Sequence, residues 1–368
     1  MQFSITVLPG DGVGPEVIAA AVGVLRAVEG KFGHDFQLTY GSIGAAAFEK
    51  EGTALPEKTL EVCKNCDAVL FGAVGDPKWE VPNISDRPEL GYGLIRLRKE
   101  LGLFANVRPV KLFPSVVNCT RFKPEVVEGV DFIIVRELSS GIYYSQPKRS
   151  WQTAEGRHAL DTLQYNENEI ERIIRVGFEL ARSRRKKLAS VDKFQILETS
   201  GLWRQVANEL AEQYSDIQLE HVLVDSCAMR LIQRPTDFDV IVTENLFGDI
   251  LSDEASMLAG SMGMMPSASL AGIPKEASRP FGLYEPIHGS SPYRAGQDMA
   301  NPIAAILSVA MMLRYSLNLE EEAELIESSV TAVLEEGYRT YDIMGLGQTK
   351  VGTREMGELI ASRVSYGG

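Results

Sequence analysis

Apolar runs typical of strands alternate along the chain with segments whose apolar residues recur at helical spacing. Residues 3–8 form the first apolar run, and residues 15–28 carry apolar side chains at helical intervals. Pro15 suits the first turn of that helix, where its missing N–H is not needed. The same patterns predict further strands at 68–71, 131–135, 188–191, 219–224 and 238–242, and further helices at 166–186, 201–214, 302–317 and 320–337. This alternation predicts an α/β protein with a mostly parallel sheet and helices on both faces.

Length and composition narrow the class of protein. At 368 residues the chain exceeds one ordinary core, so we expect two lobes. A formal charge of −13 argues against a nucleic-acid partner, and no apolar run is long enough to cross a bilayer. Four cysteines are too few for a disulfide framework in a chain of this length, which favours the reducing cytoplasm. Cys63 and Cys66 form a C-x-x-C pair without the second pair that a zinc site needs, so we interpret them as structural thiols.

The segment 243–253 carries two aspartates inside a predicted helix that follows an apolar strand. Asp249 and Asp253 are four residues apart, so they share one helix face as like charges, which is destabilising unless a cation lies between them. Mg²⁺ is a suitable cation, because it takes few carboxylates and completes its shell with water and substrate oxygens. A solvated acidic helix face is the alternative. Asp225, after the predicted strand 219–224, is a candidate third ligand.

Three arginines are predicted near strand ends, where α/β proteins place ligands: Arg98, Arg108 and Arg136. Guanidinium groups suit bidentate contacts with carboxylates, so three of them in an acidic protein indicate a polycarboxylate substrate. Lys193 follows the strand 188–191 and is a candidate general base, and Tyr143 is a candidate proton donor. A surface ion pair or a packed ring is the alternative for each of these two side chains.

Two glycine-rich segments could bind a nucleotide. Residues 9–16 lie between a strand and a helix, but their glycine spacing departs from the G-x-G-x-x-G turn, so they are a weak Rossmann signal. A tight loop in which backbone approaches a ligand remains possible there. Residues 285–302 are rich in Gly, Ser and Pro and run into a helix, so they could wrap an adenine nucleotide with backbone groups and His288, or be a plain loop.

Together these residues resemble one family, the isocitrate/isopropylmalate β-decarboxylating dehydrogenases. The resemblance covers nearly the whole chain, and its most specific parts are 244–253 with 260–263, and 136–143. It implies a two-lobed fold that is not a Rossmann fold. The first lobe, which binds the cofactor, would comprise 1–103 and 260–368. The second, 104–259, would bind substrate and metal and form the dimer, with an arm near 139–162 that packs on the partner subunit.

The resemblance also implies roles for the site residues. The arginines would bind the two substrate carboxylates, and Tyr143 would assist protonation of the enol that remains after CO₂ is lost. Asp249 and Asp253 of one subunit, with Asp225 of its partner, would bind Mg²⁺ or Mn²⁺ and the substrate. Lys193, also from the partner, would serve as the base while hydride passes to NAD in a homodimer with shared active sites. The implied cofactor contacts are Glu285, His288, Gly289, Ser290, Ser291, Tyr293, Arg294, Asn301 and Gln195.

The residues around Arg98 favour one substrate within the family. Leu94 and Ile95 form an apolar wall that suits the isopropyl group of 3-isopropylmalate, a substrate of leucine biosynthesis. The same wall would leave the third carboxylate of isocitrate or homoisocitrate unpaired in an apolar site. Arg96 is adjacent, but on a helix it should point about 100° away from Ile95.

Two departures from the family pattern bear on the cofactor. Tyr293-Arg294 stands where NAD-using relatives carry an aspartate, and the arginine could bind the 2′-phosphate of NADP. Gln195 replaces the usual asparagine two residues after the lysine, so a contact with the nicotinamide ribose could shift. NAD is the expected cofactor, with NADP as the alternative. The competing functions are a dehydrogenase of isocitrate, homoisocitrate or a tartrate- or malate-type acid, and, in another class, a non-catalytic regulatory subunit.

Overall fold

A computed structural model describes residues 1–79, 90–275 and 278–367, with side chains described from residue 93 onwards in the second range. The strands are β1 Gln2–Gly10, β2 Asp35–Tyr40, β3 Ala68–Ala73, β4 Ala105–Lys111, β5 Asp131–Glu137, β6 Arg149–Thr153, β7 Gly156–Leu160, β8 Lys187–Asp192, β9 Gln218–Leu223, β10 Val240–Thr243, β11 Pro266–Leu270, β12 Gly282–Pro286, β13 Tyr338–Arg339 and β14 Thr349–Lys350. The helices are α1 Gly14–Phe32, α2 Ala45–Glu51, α3 Glu57–Lys64, α4 Leu90–Glu100, α5 Pro124–Val127, α6 Glu167–Arg182, α7 Glu198–Ala211, α8 Val224–Gln233, α9 Asn245–Ser256, α10 Ile303–Tyr315, α11 Glu320–Glu335 and α12 Thr353–Tyr366.

One large sheet runs through the described residues in the order β2-β1-β3-β12-β11-β4-β5-β10-β8-β9. Its two outer parts are parallel. Antiparallel pairing is confined to the centre, where β11 pairs with β12 and β4, and β4 pairs with β5. The predicted α/β fold with a mostly parallel sheet is therefore confirmed, and the strand order is not that of a Rossmann fold.

Helices cover both faces of this sheet. In β1, Ile5 and Val7 belong to one hydrophobic core with α1 and α10, and Leu8 belongs to a second core with α3 and α4 on the opposite face. Successive strand side chains point to opposite faces, so a strand buried on both sides reads as the continuous apolar run seen in the sequence. Helix α1 packs against α12, which brings together the two helices furthest apart in sequence among the described residues.

Local sequence signals explain where several helices begin and end. Pro15 lies in the first turn of α1, and Gly33 ends the helix in a left-handed conformation with φ of +69°. Asn166 and Glu169 form a capping box at the start of α6. At α9 the Glu244 side chain accepts hydrogen bonds from the backbone N–H groups of the first turn.

The segment predicted as an arm, 139–162, contains a single turn of 3₁₀ helix followed by the antiparallel hairpin β6–β7. Every residue of β6 is exposed, and the hairpin pairs with no other strand among the described residues. None of the helices in the described residues is long and apolar enough to span a membrane.

Candidate active site

Side chains from both parts of the sheet meet in a cavity of about 270 Å³. Its polar lining includes Arg98 from α4, Arg108 from β4, Arg136 from β5 and Asp249 from α9, and its apolar lining includes Leu94, Ile95 and Leu138. The structure therefore brings the three arginines together at one cavity. Their expected location at strand ends holds only for Arg136, because Arg98 lies in a helix and Arg108 lies in the middle of its strand.

Arg136 is 4% exposed and is held by the first two turns of α9. Its Nε and Nη2 donate to Asn245 Oδ1 at 2.9 and 2.8 Å, and its Nη1 donates to Asp249 Oδ1. The stem passes so close to Gly248 that a Cβ there would lie 2.7 Å from the Cβ and Cγ of Arg136. Only glycine fits at this position without moving the arginine.

Arg108 is fixed by neutral partners. Its Nε donates to Asn106 Oδ1 at 2.6 Å and its Nη1 to Ser252 Oγ at 2.5 Å. Burial, together with the nearby Arg136, lowers the pKa of Arg108 to about 10. Neighbouring guanidinium groups make the electrostatic potential of the cavity positive, which favours the binding of anions. A bound carboxylate would offset the repulsion between the guanidinium groups.

Arg98 forms a buried ion pair with Glu285, with Nη2 and Oε1 2.5 Å apart and side chains 13% and 8% exposed. Burial lowers the pKa of Arg98, but Glu285, together with Tyr144 and Asp249, raises it above its ordinary value, so the guanidinium is charged. The Nε–H of Arg98 is buried and has no hydrogen-bond partner among the described residues, which leaves it available to a ligand. Arg96, by contrast, pairs with Glu57 outside the cavity, as the helix geometry predicted.

Tyr143 lies over the same cavity. Its hydroxyl donates to Asp249 Oδ2 at 2.7 Å, and the Arg136 guanidinium lies 5.4 Å from its ring centre. Burial and the hydrogen bond to Asp249 raise the pKa of Tyr143 to about 12. The phenol is therefore protonated at neutral pH, as a proton donor must be.

Asp249 and Asp253 project from one face of α9, and their carboxylates lie 3.8 and 3.7 Å from the Arg108 guanidinium. Burial raises the pKa of Asp249, but Arg136 and the Tyr143 hydroxyl lower it below its ordinary value. Partly exposed carboxylate oxygens on one face match the donors that Mg²⁺ or Mn²⁺ takes, so the residues present fit such an ion. Within the part of the chain that the structure describes, no third acidic, His or Cys side chain joins them to form a metal cluster.

Lys193 and Asp225 do not line this cavity. Lys193 follows β8 as predicted, and its Nζ is 2.6 Å from Asp225 Oδ1. Asp225 was expected to follow a strand that ran to residue 224, but β9 ends at Leu223 and Asp225 lies in the first turn of α8. In one chain, then, the predicted base and the third acidic ligand pair with each other.

A second cavity, of about 730 Å³, adjoins the first, and His288 and Gly289 line both. The loop 285–302 supplies one wall with Ser291, Arg294 and Asn301, and residues 118–121 and 341–344 supply others. His288 Nε2 is buried without a hydrogen-bond partner among the described residues, and burial lowers the pKa of this imidazole. A cavity of this size with an unpaired ring nitrogen fits an adenine nucleotide.

The other predicted cofactor residues are placed differently. Glu285 lines the smaller cavity and pairs with Arg98, whereas the Ser290 hydroxyl turns into the fold and donates to Gly75 O at 2.6 Å. Tyr293 is 81% exposed beside the larger cavity. Gln195 is exposed near Lys193, outside both cavities.

The glycine-rich segment 9–16 is crowded by the chain itself. A Cβ at Gly10 would lie 1.9 Å from Ala73 O, and one at Gly12 would lie 2.0 Å from Ser290 O. The buried Asp11 carboxylate accepts hydrogen bonds from backbone N–H groups of α2 and of Gly75. The glycines therefore allow close packing of backbone on backbone.

Several residues of the site were not predicted. Asn245 adjoins the aspartate motif and Asn106 precedes Arg108 by two residues on the same strand face, so each had a positional signal. Residues 118–121, Tyr341 and Asp342 carried none, because only the folded chain brings them to the nucleotide cavity.

A sequence model described as isocitrate/isopropylmalate dehydrogenase matches residues 4–360. The chain belongs to this family. Among its relatives, the 3-isopropylmalate dehydrogenase of Dehalococcoides mccartyi is 60% identical over 98% of this chain and 99% of its own length, and that of Carboxydothermus hydrogenoformans is 54% identical over 99% and 96%.

Solved structures of the family agree with the fold. The isocitrate dehydrogenase of Methylococcus capsulatus superposes with a TM-score of 0.85 at 35% identity, covering 99% of each chain. A β-decarboxylating dehydrogenase of Thermococcus kodakarensis gives 0.76 at 33% identity over 98% of this chain and 96% of its own. The chain is thus an oxidoreductase, a β-decarboxylating dehydrogenase, and the alternative of a non-catalytic regulatory subunit is set aside.

Proposed function

We propose that this enzyme oxidatively decarboxylates (2R,3S)-3-isopropylmalate to 4-methyl-2-oxopentanoate, a step of leucine biosynthesis in the cytoplasm. The observation that carries the proposal is the cavity in which three arginines face an apolar wall of Leu94, Ile95 and Leu138. Guanidinium groups bind two carboxylates, and the wall accepts the isopropyl group. Isocitrate, homoisocitrate and a hydroxylated tartrate-type acid would place a polar group against that wall without a partner.

Each side chain then has a defined task. Arg108 and Arg136, held by Asn106, Ser252 and Asn245, would orient the substrate carboxylates, with Arg98 as a third contact. The protonated Tyr143 hydroxyl would deliver a proton to the substrate carbon after CO₂ departs, and its bond to Asp249 would hold the hydroxyl in place until then. The adjoining cavities would bring the nicotinamide next to the C–H bond that is oxidised.

The metal would be held by Asp249 and Asp253 with Asp225 of a second copy of the chain. Bound Mg²⁺ or Mn²⁺ would supply Lewis-acid polarisation of the substrate oxygens. Lys193 of that second copy would take the proton from the substrate hydroxyl. Within one chain Lys193 pairs with Asp225, and neither residue lines the cavity that contains Asp249. This supports a site that is completed by a second copy of the chain.

The surface that would join the copies is apolar. Met229 and Ile232 on α8 and Ile250 on α9 are 51 to 59% exposed, although monomers rarely leave large apolar patches uncovered. They lie on the two helices that carry Asp225 and the Asp249–Asp253 pair. Burying them in a two-fold dimer would place the acidic residues of one copy near those of the other. We propose that the exposed hairpin β6–β7, within the arm 139–162, adds to this contact.

The proposed lobes are residues 1–103 with 260–368, and residues 104–259. The strand order supports this division, because β11 and β4, which lie on either side of the proposed boundary, pair through only three residues each. The substrate cavity takes Arg98 and Glu285 from one lobe and Arg108 and Arg136 from the other.

NAD is the proposed cofactor, and one observation favours NADP as a second candidate. The Arg294 guanidinium lies 5.0 Å from the ring centre of Tyr341 and lines the nucleotide cavity together with Arg121. The one acidic side chain lining this cavity within the described residues, Asp342, is already hydrogen-bonded to Asn301 and Thr340. Two guanidinium groups at such a cavity suit an additional phosphate.

Turnover assays test the substrate and cofactor together. The enzyme with Mg²⁺ or Mn²⁺ is offered 3-isopropylmalate, isocitrate, homoisocitrate or tartrate, each with NAD and with NADP, and reduced nicotinamide is followed by absorbance. We expect turnover with 3-isopropylmalate and at least hundredfold lower kcat/KM with the other acids. Absence of turnover with 3-isopropylmalate in every combination would refute the proposal. The ratio of kcat/KM for NAD and NADP decides the cofactor.

Mixed dimers test the shared site. Lys193→Met and Asp249→Asn variants should each be inactive alone, and co-refolding them should restore about a quarter of wild-type activity, because half of the dimers are mixed and one of their two sites is intact. A mixture that stays inactive although mixed dimers form would show that each chain builds its own site.

A further inference from the structure

The first two turns of α9 close around the side chain of Arg136. Asn245 accepts two of its hydrogen bonds, Asp249 accepts a third, and Gly248 leaves room for its stem. Arg136 begins on β5, so the two elements must be locked together for the guanidinium to keep one orientation.

Asn245 is itself fixed by the fold. It is 1% exposed, its Nδ2 donates to Ser140 O at 2.9 Å, and its backbone N–H donates to the Tyr165 hydroxyl oxygen at 3.0 Å. The carbonyl of Ser140 can only accept and the guanidinium can only donate, so a flipped amide would lose its bonds on both sides. The orientation of the Asn245 amide is thus determined by its surroundings.

This arrangement leaves a defined pair of donors on Arg136. A guanidinium has five N–H groups, and the bonds to Asn245 and Asp249 use three of them. One N–H remains on each terminal nitrogen, and each of these groups can donate to a carboxylate oxygen.

We propose that Asn245 is a positioning residue for substrate binding, because it holds Arg136 so that its two remaining N–H groups face the substrate carboxylate. The inference rests on the proposed role of Arg136 in binding the substrate. A neutral amide suits this task better than an acid would. Asp249 already neutralises part of the Arg136 charge, and a second carboxylate at position 245 would remove the attraction for an anionic substrate.

Three variants test the proposal: Asn245→Ala, Asn245→Asp and, as a matched control, Asn65→Ala, whose exposed amide donates to Glu61 O outside the cavity lining. We expect Asn245→Ala to raise KM for the substrate by ~10- to 100-fold while kcat changes by less than about threefold, since uniform binding is lost. Asn245→Asp should raise KM at least tenfold although it can still accept hydrogen bonds from Arg136. The nucleotide Kd, measured by fluorescence of the reduced cofactor, should change less than about twofold in all three.

A double-mutant comparison separates positioning from general damage. In an Arg136→Ala background, Asn245→Ala should add less than about twofold to KM, because the side chain that it positions is gone. The inference is overturned if Asn245→Ala leaves KM unchanged, if it lowers kcat alone, or if its effect on KM persists in the Arg136→Ala background. If Arg136→Ala itself leaves KM unchanged, the proposed substrate site fails as well, so the two failures are distinguishable.

Discussion

The buried pair of Arg98 and Glu285 stabilises the free enzyme, and Glu285→Gln should expose that contribution. The substitution keeps an oxygen that can accept from Arg98 but removes the negative charge, so a buried guanidinium remains beside two others. Removing one partner of a buried ion pair costs ~3 to 5 kcal/mol, and the retained hydrogen bond places the loss near 3 kcal/mol. For 368 residues the entropy of unfolding is roughly 0.8 kcal/mol per degree, which converts that loss to a fall in Tm of about 4 °C.

The assay is thermal unfolding followed by fluorescence, with and without 3-isopropylmalate and Mg²⁺. A substrate carboxylate would supply the missing negative charge, so the ligand should raise the Tm of the variant by more than it raises that of the wild type. Glu100→Gln is the control, because its pair with Lys64 is about 40% exposed and such solvent-screened pairs contribute little to stability. A Tm for Glu285→Gln within 1 °C of the control, about a quarter of the expected fall, or an equal ligand effect in variant and wild type, would refute the reasoning.

Three further outcomes follow from the same cavities. Leu94→Ser should lower kcat/KM for 3-isopropylmalate by ~10- to 100-fold without changing the nucleotide Kd, and an unchanged kcat/KM would remove Leu94 from the substrate wall. Tyr143→Phe should lower kcat by ~10²-fold or more in steady-state assays, whereas an unchanged kcat would show that another group delivers the proton. Burial raises the pKa of Cys66, and raises that of Cys63 and Cys227 to about 12, so at pH 8 a thiol reagent should modify Cys119, the fourth cysteine, first. Cys119 lines the nucleotide cavity, so bound cofactor should slow this reaction, and equal rates with and without cofactor would contradict its placement.

The sequence predicted the elements with strong patterns and missed those fixed by long-range packing. The strands at 131–135 and 188–191 and the helices at 166–186 and 320–337 were found within a few residues, because each carries a continuous apolar run or a helical period. The short strands β11 and β12 were missed, since their residues are mixed with Ser, Gly and Pro and become strands through antiparallel partners.

The candidate site shows the same division. The arginines and aspartates could be selected from the sequence by residue type and by their positions relative to predicted strands and helices. Their convergence depends on the position of β4 between β11 and β5 in the sheet, which no local sequence pattern indicates. The pairing of Arg98 with Glu285 joins residues 187 positions apart, and such contacts have no signal in a single sequence. Asn245 lies within the segment 243–253, but its contact with Arg136 appears only in the folded chain, where the guanidinium donates to its amide oxygen.

The packing of α1 against α12 has a consequence for synthesis of the chain. Gly357 of α12 approaches so closely that a Cβ there would lie 2.7 Å from the Cβ of Ala20 on α1. The ribosome makes α1 long before α12, so part of the apolar surface of α1 has no cover until α12 has been translated. We therefore expect a nascent chain to fold the segments between these helices first and to depend on chaperones for α1 until α12 emerges.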